Sequence, residues 1–362
     1  MQTNEPIQAA EFQAVQTPAG DFVKEGLARA AEGHSLSREQ ARLAMEGIMG
    51  GAATPAQIGG FLLALRMKGE TTEEITGFAE AMRGFAGRVG TRREDLLDTC
   101  GTGGSGIHKF NISTASALIA ASASVRVAKH GNRSASGRAG SADVLEALGV
   151  NIGLNGAQAA DCLDRIGICF LFAQTYHPSM KHAAAPRREL GVRTVFNLLG
   201  PLTNPAGADR QLLGLYDAGR TEQIASVLGN LGTRRALVVA GLDGLDEISV
   251  SGPTRVSELK DGVVRTYEIT PEELGLSRHA LEDILGGDAA DNARIVREVL
   301  SGKRGARRDI VLANAGACIY TAGRAGSLVD GVRMAADIVD SGLASDKLEQ
   351  LIRITGECSY VS

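Results

Sequence analysis

The segment that most constrains the fold is a short apolar run that leads into a glycine-rich loop. Residues 96–100 (LLDTC) indicate a buried strand, residues 101–106 (GTGGSG) form the loop, and a helix of small residues spans 113–124. A strand that passes through a glycine loop into a helix is typical of α/β domains with a parallel sheet. The sequence therefore predicts such a sheet, with further strands at residues 125–128, 168–173, 211–216 and 235–240.

A hairpin is predicted beyond these strands, over residues 257–267, where Asp261-Gly262 supplies the turn. After Pro271 helical patterns dominate. The chain before the glycine loop carries helix signals only: the pairs Ser37/Gln40 and Thr71/Glu74 are capping boxes, and Thr54 precedes a proline. We expect a small all-helical N-terminal domain and a large α/β domain with a central, mostly parallel sheet whose edge carries the hairpin.

The length of 362 residues agrees with two domains or slightly more. We expect a mobile N-terminal extension over residues 1–20, the helical domain over 21–90, joined by helices from about 178–200, and the α/β domain over 91–362. A net charge of −4 argues against a nucleic-acid or membrane-surface partner, and no apolar run is long enough to cross a membrane. Five cysteines without a CxxC pair favour a reducing cytoplasm.

Two loops carry the pattern expected of a phosphate site. Glycines at residues 101–106 let backbone N–H groups approach an anion, and the helix that starts after Asn111 adds unpaired N–H donors. Residues 129–141 (KHGNRSASGRAGS) place Lys129, Arg133 and Arg138 among small residues directly after a strand. A structural glycine turn and a solvated basic loop are the alternatives.

Two further groups of residues suggest a cation site and a carboxylate site. Asp246 and Glu247 follow a strand and supply the kind of oxygen ligands that Mg²⁺ takes beside phosphates, although an acidic surface turn has the same pattern. Arg187 can hold a carboxylate through its planar guanidinium, with a surface role as its alternative. His177 either polarises a ligand or is a structural histidine.

The motifs GTGG, NIST, KHGNRSASG, GSADVLEALG, YHPSMK, RTVFNLLGPLTNP and GLDGLDEIS occur in this order. In this respect the chain resembles the anthranilate phosphoribosyltransferase family over roughly residues 22–356. The resemblance implies a helical domain hinged to an α/β domain like that of pyrimidine nucleoside phosphorylases. It also implies a Mg²⁺-dependent cytoplasmic enzyme of tryptophan biosynthesis, commonly a homodimer joined through the helical domain. The implied substrates are phosphoribosyl pyrophosphate and anthranilate.

The resemblance also assigns residues. The phosphoribosyl pyrophosphate site would comprise Gly101, Gly104, Ser105, Lys109, Asn111, Ile112, Ser113, Thr114, Lys129, His130, Gly131, Asn132, Arg133, Ser134, Ala135, Ser136, Gly137 and Ser141. Anthranilate would contact Gly101, Asn132, His177 and Arg187, with Pro201 beside its path, and Mg²⁺ would be held by Ser113, Asp246 and Glu247. No acid–base or nucleophilic side chain is expected; Lys129 would support the transition state.

Two other functions stay open at this stage. One is a nucleoside phosphorylase of related fold, disfavoured by the acidic pair and by Arg187; the other is a non-catalytic nucleic-acid-binding paralogue, disfavoured by the acidic net charge. Two positions depart from the family pattern. Ser105 stands where the family usually has aspartate, and Lys109 where serine or threonine is common. Lys109 either contacts phosphate or projects into solvent.

Because both departures make the loop less negative, we expect an altered Mg²⁺ dependence rather than a loss of activity. Replacing Ser105 by aspartate restores a carboxylate beside the metal and pyrophosphate, so Ser105→Asp should shift the Mg²⁺ concentration that gives half-maximal initial rate. A Mg²⁺ titration of both proteins measures this shift. Indistinguishable titration curves would contradict the prediction.

Overall fold

The computed structural model describes residues 19–134 and 138–358. It begins with four helices and no intervening strand, α1 (Ala19–Ala31), α2 (Arg38–Met49), α3 (Pro55–Lys68) and α4 (Thr72–Phe85). Ser37, Thr54 and Thr71 each cap the following helix in a reciprocal capping box, which confirms the predicted helix starts. Helix α1 starts two residues before the domain boundary expected at residue 21.

A seven-stranded sheet forms the centre of the larger part of the chain. Its strands are β1 (Leu96–Gly101), β2 (Arg126–Gly131), β3 (Ile168–Phe172), β4 (Arg210–Gly214), β5 (Arg235–Gly241), β6 (Thr254–Lys260) and β7 (Val263–Ile269). The spatial order is β3-β2-β1-β4-β5-β6-β7. The first five strands pair in parallel, and the β6–β7 hairpin adds antiparallel at the β5 edge. The predicted sheet and edge hairpin are confirmed.

The hairpin turn shows the local chemistry that its sequence predicts. Asp261 and Gly262 both have positive φ, 52° and 76°. Such a two-residue turn matches the twist of the flanking strands, and Asp-Gly tolerates it well. The strand boundaries differ from the predicted ones by up to three residues: β2 ends at Gly131 rather than at residue 128, and β6 begins at Thr254 rather than at residue 257.

Helices connect and cover the strands. They are α5 (Ile112–Ser122), α6 (Ser141–Leu148), α7 (Gly156–Ile166), α8 (Ala173–Tyr176), α9 (Lys181–Leu190), α10 (Phe196–Leu199), α11 (Thr221–Asn230), α12 (Ala289–Leu300), α13 (Ala306–Thr321), α14 (Leu328–Asp340) and α15 (Leu343–Glu357). None of the helices in the two described ranges is long and apolar enough to cross a membrane.

The sheet is buried on both faces, because successive residues of its central strands point into different cores. Leu212 and Leu237 belong to the core formed with α5 and α12–α15. Their neighbours Leu213 and Val238 belong to a second core, shared with α11 and the N-terminal helices. Helix α9 also packs on α2 and α3. The helical part of the chain is thus joined to the sheet through α11, and the domain boundaries given above remain predictions.

The packing of α4 on α2 gives a test of this arrangement. Gly77 is buried in α4, and a Cβ added there would lie 2.2 Å from the carbonyl oxygen of Arg38. Gly77→Ala should therefore lower the free energy of unfolding by about 1–3 kcal/mol, since the backbones must move apart. Gly84→Ala, on the same helix with open space around it, is the matched control and should stabilise by up to about 1 kcal/mol. Urea unfolding followed by circular dichroism measures both; equal midpoints would contradict the predicted contact.

Candidate active site

The candidate site lies at the carboxyl edge of the sheet, where the strand order reverses. Strand β1 continues to β2 on one side and to β4 on the other, and ligands of open α/β sheets bind in the crevice at such a point. Gly101 and Gly214 are paired at the ends of β1 and β4. A Cβ on Gly101 would lie 2.6 Å from the Asp246 Oδ2 atom, and one on Gly214 would lie 2.0 Å from the Asp246 carbonyl oxygen. Glycine at both strand ends therefore allows Asp246 to lie directly over them.

The glycine loop is held open by backbone conformations that other residues rarely adopt. Gly103, Gly104 and Gly106 have φ values of 65°, 79° and 77°. The amide of Gly103 donates to Asp246 Oδ2 at 3.0 Å, and the Arg193 guanidinium donates to the carbonyl oxygen of Gly104. After the loop, α5 begins at Ile112, and the positive end of its dipole favours an anion, although the amides of Ile112 and Thr114 already donate to the carbonyl oxygens of Phe110 and Asn111. The loop and helix together have the features of a phosphate site.

Lys129 lies buried at the end of β2, next to this loop. Its ammonium donates to the Thr99 carbonyl oxygen at 2.7 Å and to Ser113 Oγ at 3.0 Å. Burial lowers the pKa of the Lys129 ammonium, while the neighbouring carboxylates Asp98 and Glu247 oppose that shift. Two of its three donors are used by the protein, which leaves one N–H for a ligand. The Lys129 ammonium is therefore held in one position by two hydrogen bonds and can donate a third to a ligand.

The acidic pair and Lys109 form a buried ionic cluster beside the glycine loop. Lys109 Nζ lies 2.5 Å from Glu247 Oε1 and 3.1 Å from Asp246 Oδ1. Burial lowers the pKa of Lys109, but attraction by the two carboxylates outweighs it and raises that pKa above its usual value. Burial likewise acts to raise the pKa of Asp246, yet Lys109 and the Gly103 amide keep it below its usual value. Burial dominates at Glu247 and raises its pKa. The expectation that Lys109 either contacts phosphate or projects into solvent did not anticipate this pairing, and the solvent alternative is wrong.

This pair of carboxylates suits Mg²⁺, provided that other ligands complete the coordination. Two hard oxygen donors lie side by side and already hold one cation, the Lys109 ammonium. Within residues 19–134 and 138–358, no group of three or more His, Cys, Asp or Glu is arranged to hold a metal ion. The donor set therefore fits an ion that arrives with phosphate oxygens better than one held by protein ligands alone.

Two uncharged histidines, His130 and His177, lie in contact beside the end of β2. The rings of His130 and His177 lie 5.1 Å apart and are tilted by 49°. Burial and the neighbouring His177 lower the pKa of His130 to about 3, and burial also lowers the pKa of His177. Both imidazoles are therefore uncharged at neutral pH. The backbone near Pro201 is fixed by the Gln211 side chain, which donates to the Pro201 carbonyl oxygen at 2.7 Å.

The remaining residues of the basic loop are used mainly in local structure. Arg133 forms ion pairs with Asp143 and Glu146 in α6. The carbonyl oxygen of Asn132 accepts hydrogen bonds from Ser141 Oγ and from the amide of Ala142. Gly131 leaves room for the Ser141 hydroxyl, and the Ser134 amide donates to Asp143. Residues 135–137 (Ala135, Ser136 and Gly137) lie outside the described part of the chain.

Three residues before and within α5 differ in what they offer a ligand. Asn111 is tied to Ala139 and Asn292 through its side-chain amide. Ile112 is fully buried, so only its backbone can contact a ligand. The Thr114 hydroxyl is buried and has no hydrogen-bond partner among the described residues.

Ser105 contacts only its own part of the chain: its Oγ atom lies 3.4 Å from the Ile107 amide nitrogen.

Arg187 on α9 is the candidate carboxylate ligand. Its guanidinium carbon lies 4.9 Å from the centre of the Phe196 ring, and burial lowers its pKa from the usual arginine value. No carboxylate of the described residues forms an ion pair with it. A half-buried arginine that stacks on an aromatic ring and lacks a protein counter-ion is well suited to an aromatic carboxylate.

The structure also shows three supporting residues that the sequence analysis did not single out. Asp98, buried inside β1, accepts the His130 amide at 3.0 Å and so fixes the end of β2. Arg193 stacks on the Tyr216 ring at 4.3 Å while it holds the glycine loop. Asn314 pairs with both backbone groups of Ile248 and fixes the chain after Glu247. An acidic residue inside an apolar strand was a visible signal for Asp98; the other two have none.

Comparisons with known proteins agree with this geometry. Residues 24–86 match the helical bundle domain of a glycosyl transferase family, and residues 93–345 match the α/β domain of the same family. The chain is 57% identical to an anthranilate phosphoribosyltransferase of Brevibacillus brevis over 91% of its length and 97% of the relative's. It is 54% identical to one of Rubrobacter xylanophilus, over 92% and 98%.

Solved structures show the same relationship. The crystal structure of anthranilate phosphoribosyltransferase from Thermus thermophilus superimposes with a TM-score of 0.87 at 44% identity, over 91% of this chain and 99% of that one. The Saccharomyces cerevisiae enzyme in complex with PRPP and Mg gives 0.84 at 27% identity, over 93% and 98%. The sequence resemblance is confirmed, and the chain belongs to the anthranilate phosphoribosyltransferase family of glycosyl transferases.

Proposed function

We propose that this chain performs its family's reaction in the crevice between the ends of β1 and β4. The phosphoribosyl group of 5-phosphoribosyl 1-pyrophosphate passes to the amine of anthranilate, which gives N-(5-phosphoribosyl)anthranilate and pyrophosphate in tryptophan biosynthesis. The observation that carries the proposal is the single contact network of the glycine loop, Asp246, Lys109 and Glu247. It brings together the glycine loop, one cation and a carboxylate pair at one edge of the sheet.

The pyrophosphate end of the substrate binds to the glycine loop, to the first turn of α5 and to Lys129. Backbone amides and a helix N-terminus favour phosphate oxygens, and the remaining N–H of Lys129 is available to them. Ser113, Asp246 and Glu247 are the proposed Mg²⁺ ligands, together with substrate oxygens. When bound, the ion neutralises charge that develops on the leaving pyrophosphate.

No strong base is required for the attacking group, because an aryl amine is uncharged at neutral pH. The neutral pair His130 and His177 fits this requirement, since neither ring carries charge into the path of an aromatic substrate. Arg187 binds the anthranilate carboxylate, with Gly101, Asn132 and His177 beside it. Catalysis then depends on holding the amine and the anomeric carbon in line and on stabilising the leaving group.

The assembly and location are also part of the proposal. Leu63 and Met67, one turn apart on α3, are 41% and 80% exposed, which supports a homodimer formed through the helical domain. All five cysteines are free thiols, which supports a reducing, cytoplasmic compartment.

The proposed reaction is tested by mixing the protein with phosphoribosyl pyrophosphate, Mg²⁺ and anthranilate. Anthranilate fluorescence should fall with time, and Lys129→Met should lower kcat by about 10²- to 10³-fold, because a preorganised cation at the leaving group is lost. Lys181→Met, which removes an exposed lysine, is the control and should leave the rate unchanged. No fluorescence loss at high enzyme concentration would reject the proposed function.

Arg187→Ala tests the assignment of the carboxylate site. Loss of a charge-assisted hydrogen-bond pair should raise the KM for anthranilate by about 10- to 100-fold, while the KM for phosphoribosyl pyrophosphate changes little. Arg188→Ala, at the exposed neighbouring position, is the matched control and should alter neither value. Equal increases in the two KM values of Arg187→Ala would contradict the assigned role.

A further inference from the structure

The Lys109 ammonium is held by the acidic pair through two hydrogen bonds and one further ion-pair contact. It contacts Glu247 Oε1 at 2.5 Å, Asp246 Oδ1 at 3.1 Å and the Asp246 carbonyl oxygen at 3.4 Å. An ammonium has three N–H donors, and these hydrogen bonds use two of them. In this position the charge of Lys109 is neutralised by the two carboxylates rather than by a pyrophosphate, although residue 109 lies just beyond the glycine loop that binds pyrophosphate in the proposed function.

The same contacts oppose the binding of a divalent cation to the two carboxylates. The Asp246 and Glu247 side chains are 2% and 7% exposed and that of Lys109 is 15% exposed, so solvent screens their charges only weakly. A Mg²⁺ ion on these carboxylates would lie within a few ångströms of the ammonium and would be repelled by it. The ion and the ammonium therefore compete for one pair of carboxylates.

The backbone around Lys109 is fixed, so an exchange involves its side chain alone. The Lys109 amide donates to the Ile107 carbonyl oxygen at 2.9 Å, and residue 109 forms a β-bridge with Leu285. The amide of Gly286 donates to the His108 carbonyl oxygen at 2.8 Å. The long side chain can rotate from the carboxylates toward the loop while these backbone bonds persist.

We propose that, in the free protein, the Lys109 ammonium occupies the divalent-metal site at Asp246 and Glu247. When metal and substrate bind together, the ammonium moves to the pyrophosphate. The inference rests on the proposed function. It adds that the metal ion replaces the Lys109 ammonium at the carboxylates as the pyrophosphate binds at the same site. Because Lys109 leaves the carboxylates only when another anion receives it, metal and pyrophosphate each strengthen the binding of the other. The free protein then holds divalent cations weakly, and a metal–pyrophosphate complex binds well.

The experiment uses Mn²⁺ as the probe, with free Mn²⁺ measured by electron paramagnetic resonance. Lys109→Thr, which introduces a residue common at this position in the family, should bind Mn²⁺ alone at least tenfold more tightly than the unmodified chain. The Mn²⁺–pyrophosphate complex should show the opposite ranking of affinities. Lys109→Thr should bind this complex at least threefold more weakly than the unmodified chain does, because it lacks the ammonium that contacts the pyrophosphate. Lys109→Arg keeps the positive charge and should resemble the unmodified chain with Mn²⁺ alone.

Circular dichroism and thermal unfolding establish that each variant is folded, and Lys109→Met replaces Lys109→Thr if the latter does not fold. Equal Mn²⁺ affinity in the charged and uncharged variants would overturn the proposal, as would unchanged affinity for Mn²⁺–pyrophosphate. The anthranilate assay on the unmodified chain separates the two levels of inference. An active enzyme with unaltered Mn²⁺ binding rejects the role of Lys109 alone, whereas an inactive enzyme rejects the proposed function.

Discussion

The close approach of Asp246 to the ends of β1 and β4 is the constraint on which the rest of the site depends. Side chains at Gly101 and Gly214 would overlap Asp246, so the two strands must end in glycine for the acidic segment to reach the crevice. From there Asp246 accepts the Gly103 amide and fixes the glycine loop. One contact thus places the acidic pair and the anion-binding loop at the same edge, although about 140 residues separate them along the chain.

The charges at this edge are balanced locally, in a protein whose net charge is −4. Lys129 is held by neutral oxygen atoms and keeps a donor free, whereas Lys109 is neutralised by two carboxylates. A doubly charged pair left without a cation in a buried position would carry a high desolvation cost. Lys109 removes much of that cost in the free protein.

Features set by neighbouring residues could be predicted from the sequence, and features set by distant ones could not. The capping boxes at Ser37 and Thr71 and the Asp261-Gly262 turn follow from local backbone chemistry, and all three are confirmed. The glycine loop was recognised because several signals coincide within ten residues. The pairing of Lys109 with Asp246 and Glu247 spans more than 130 positions, and a lysine alone does not reveal whether it meets phosphate, solvent or a carboxylate.

The site is also connected to the helical domain by a short series of contacts. Arg66 of α3 donates to the carbonyl oxygen of Arg193, and the Arg193 guanidinium donates in turn to the carbonyl oxygen of Gly104. Stacking on Tyr216, which follows β4, limits where that guanidinium can lie. A displacement of α3 relative to the sheet would therefore act on the glycine loop through two side chains, those of Arg66 and Arg193. Both α3 and α4 contribute to the core shared with α11 and the sheet, so such a displacement would involve the packing of the helical domain as a whole.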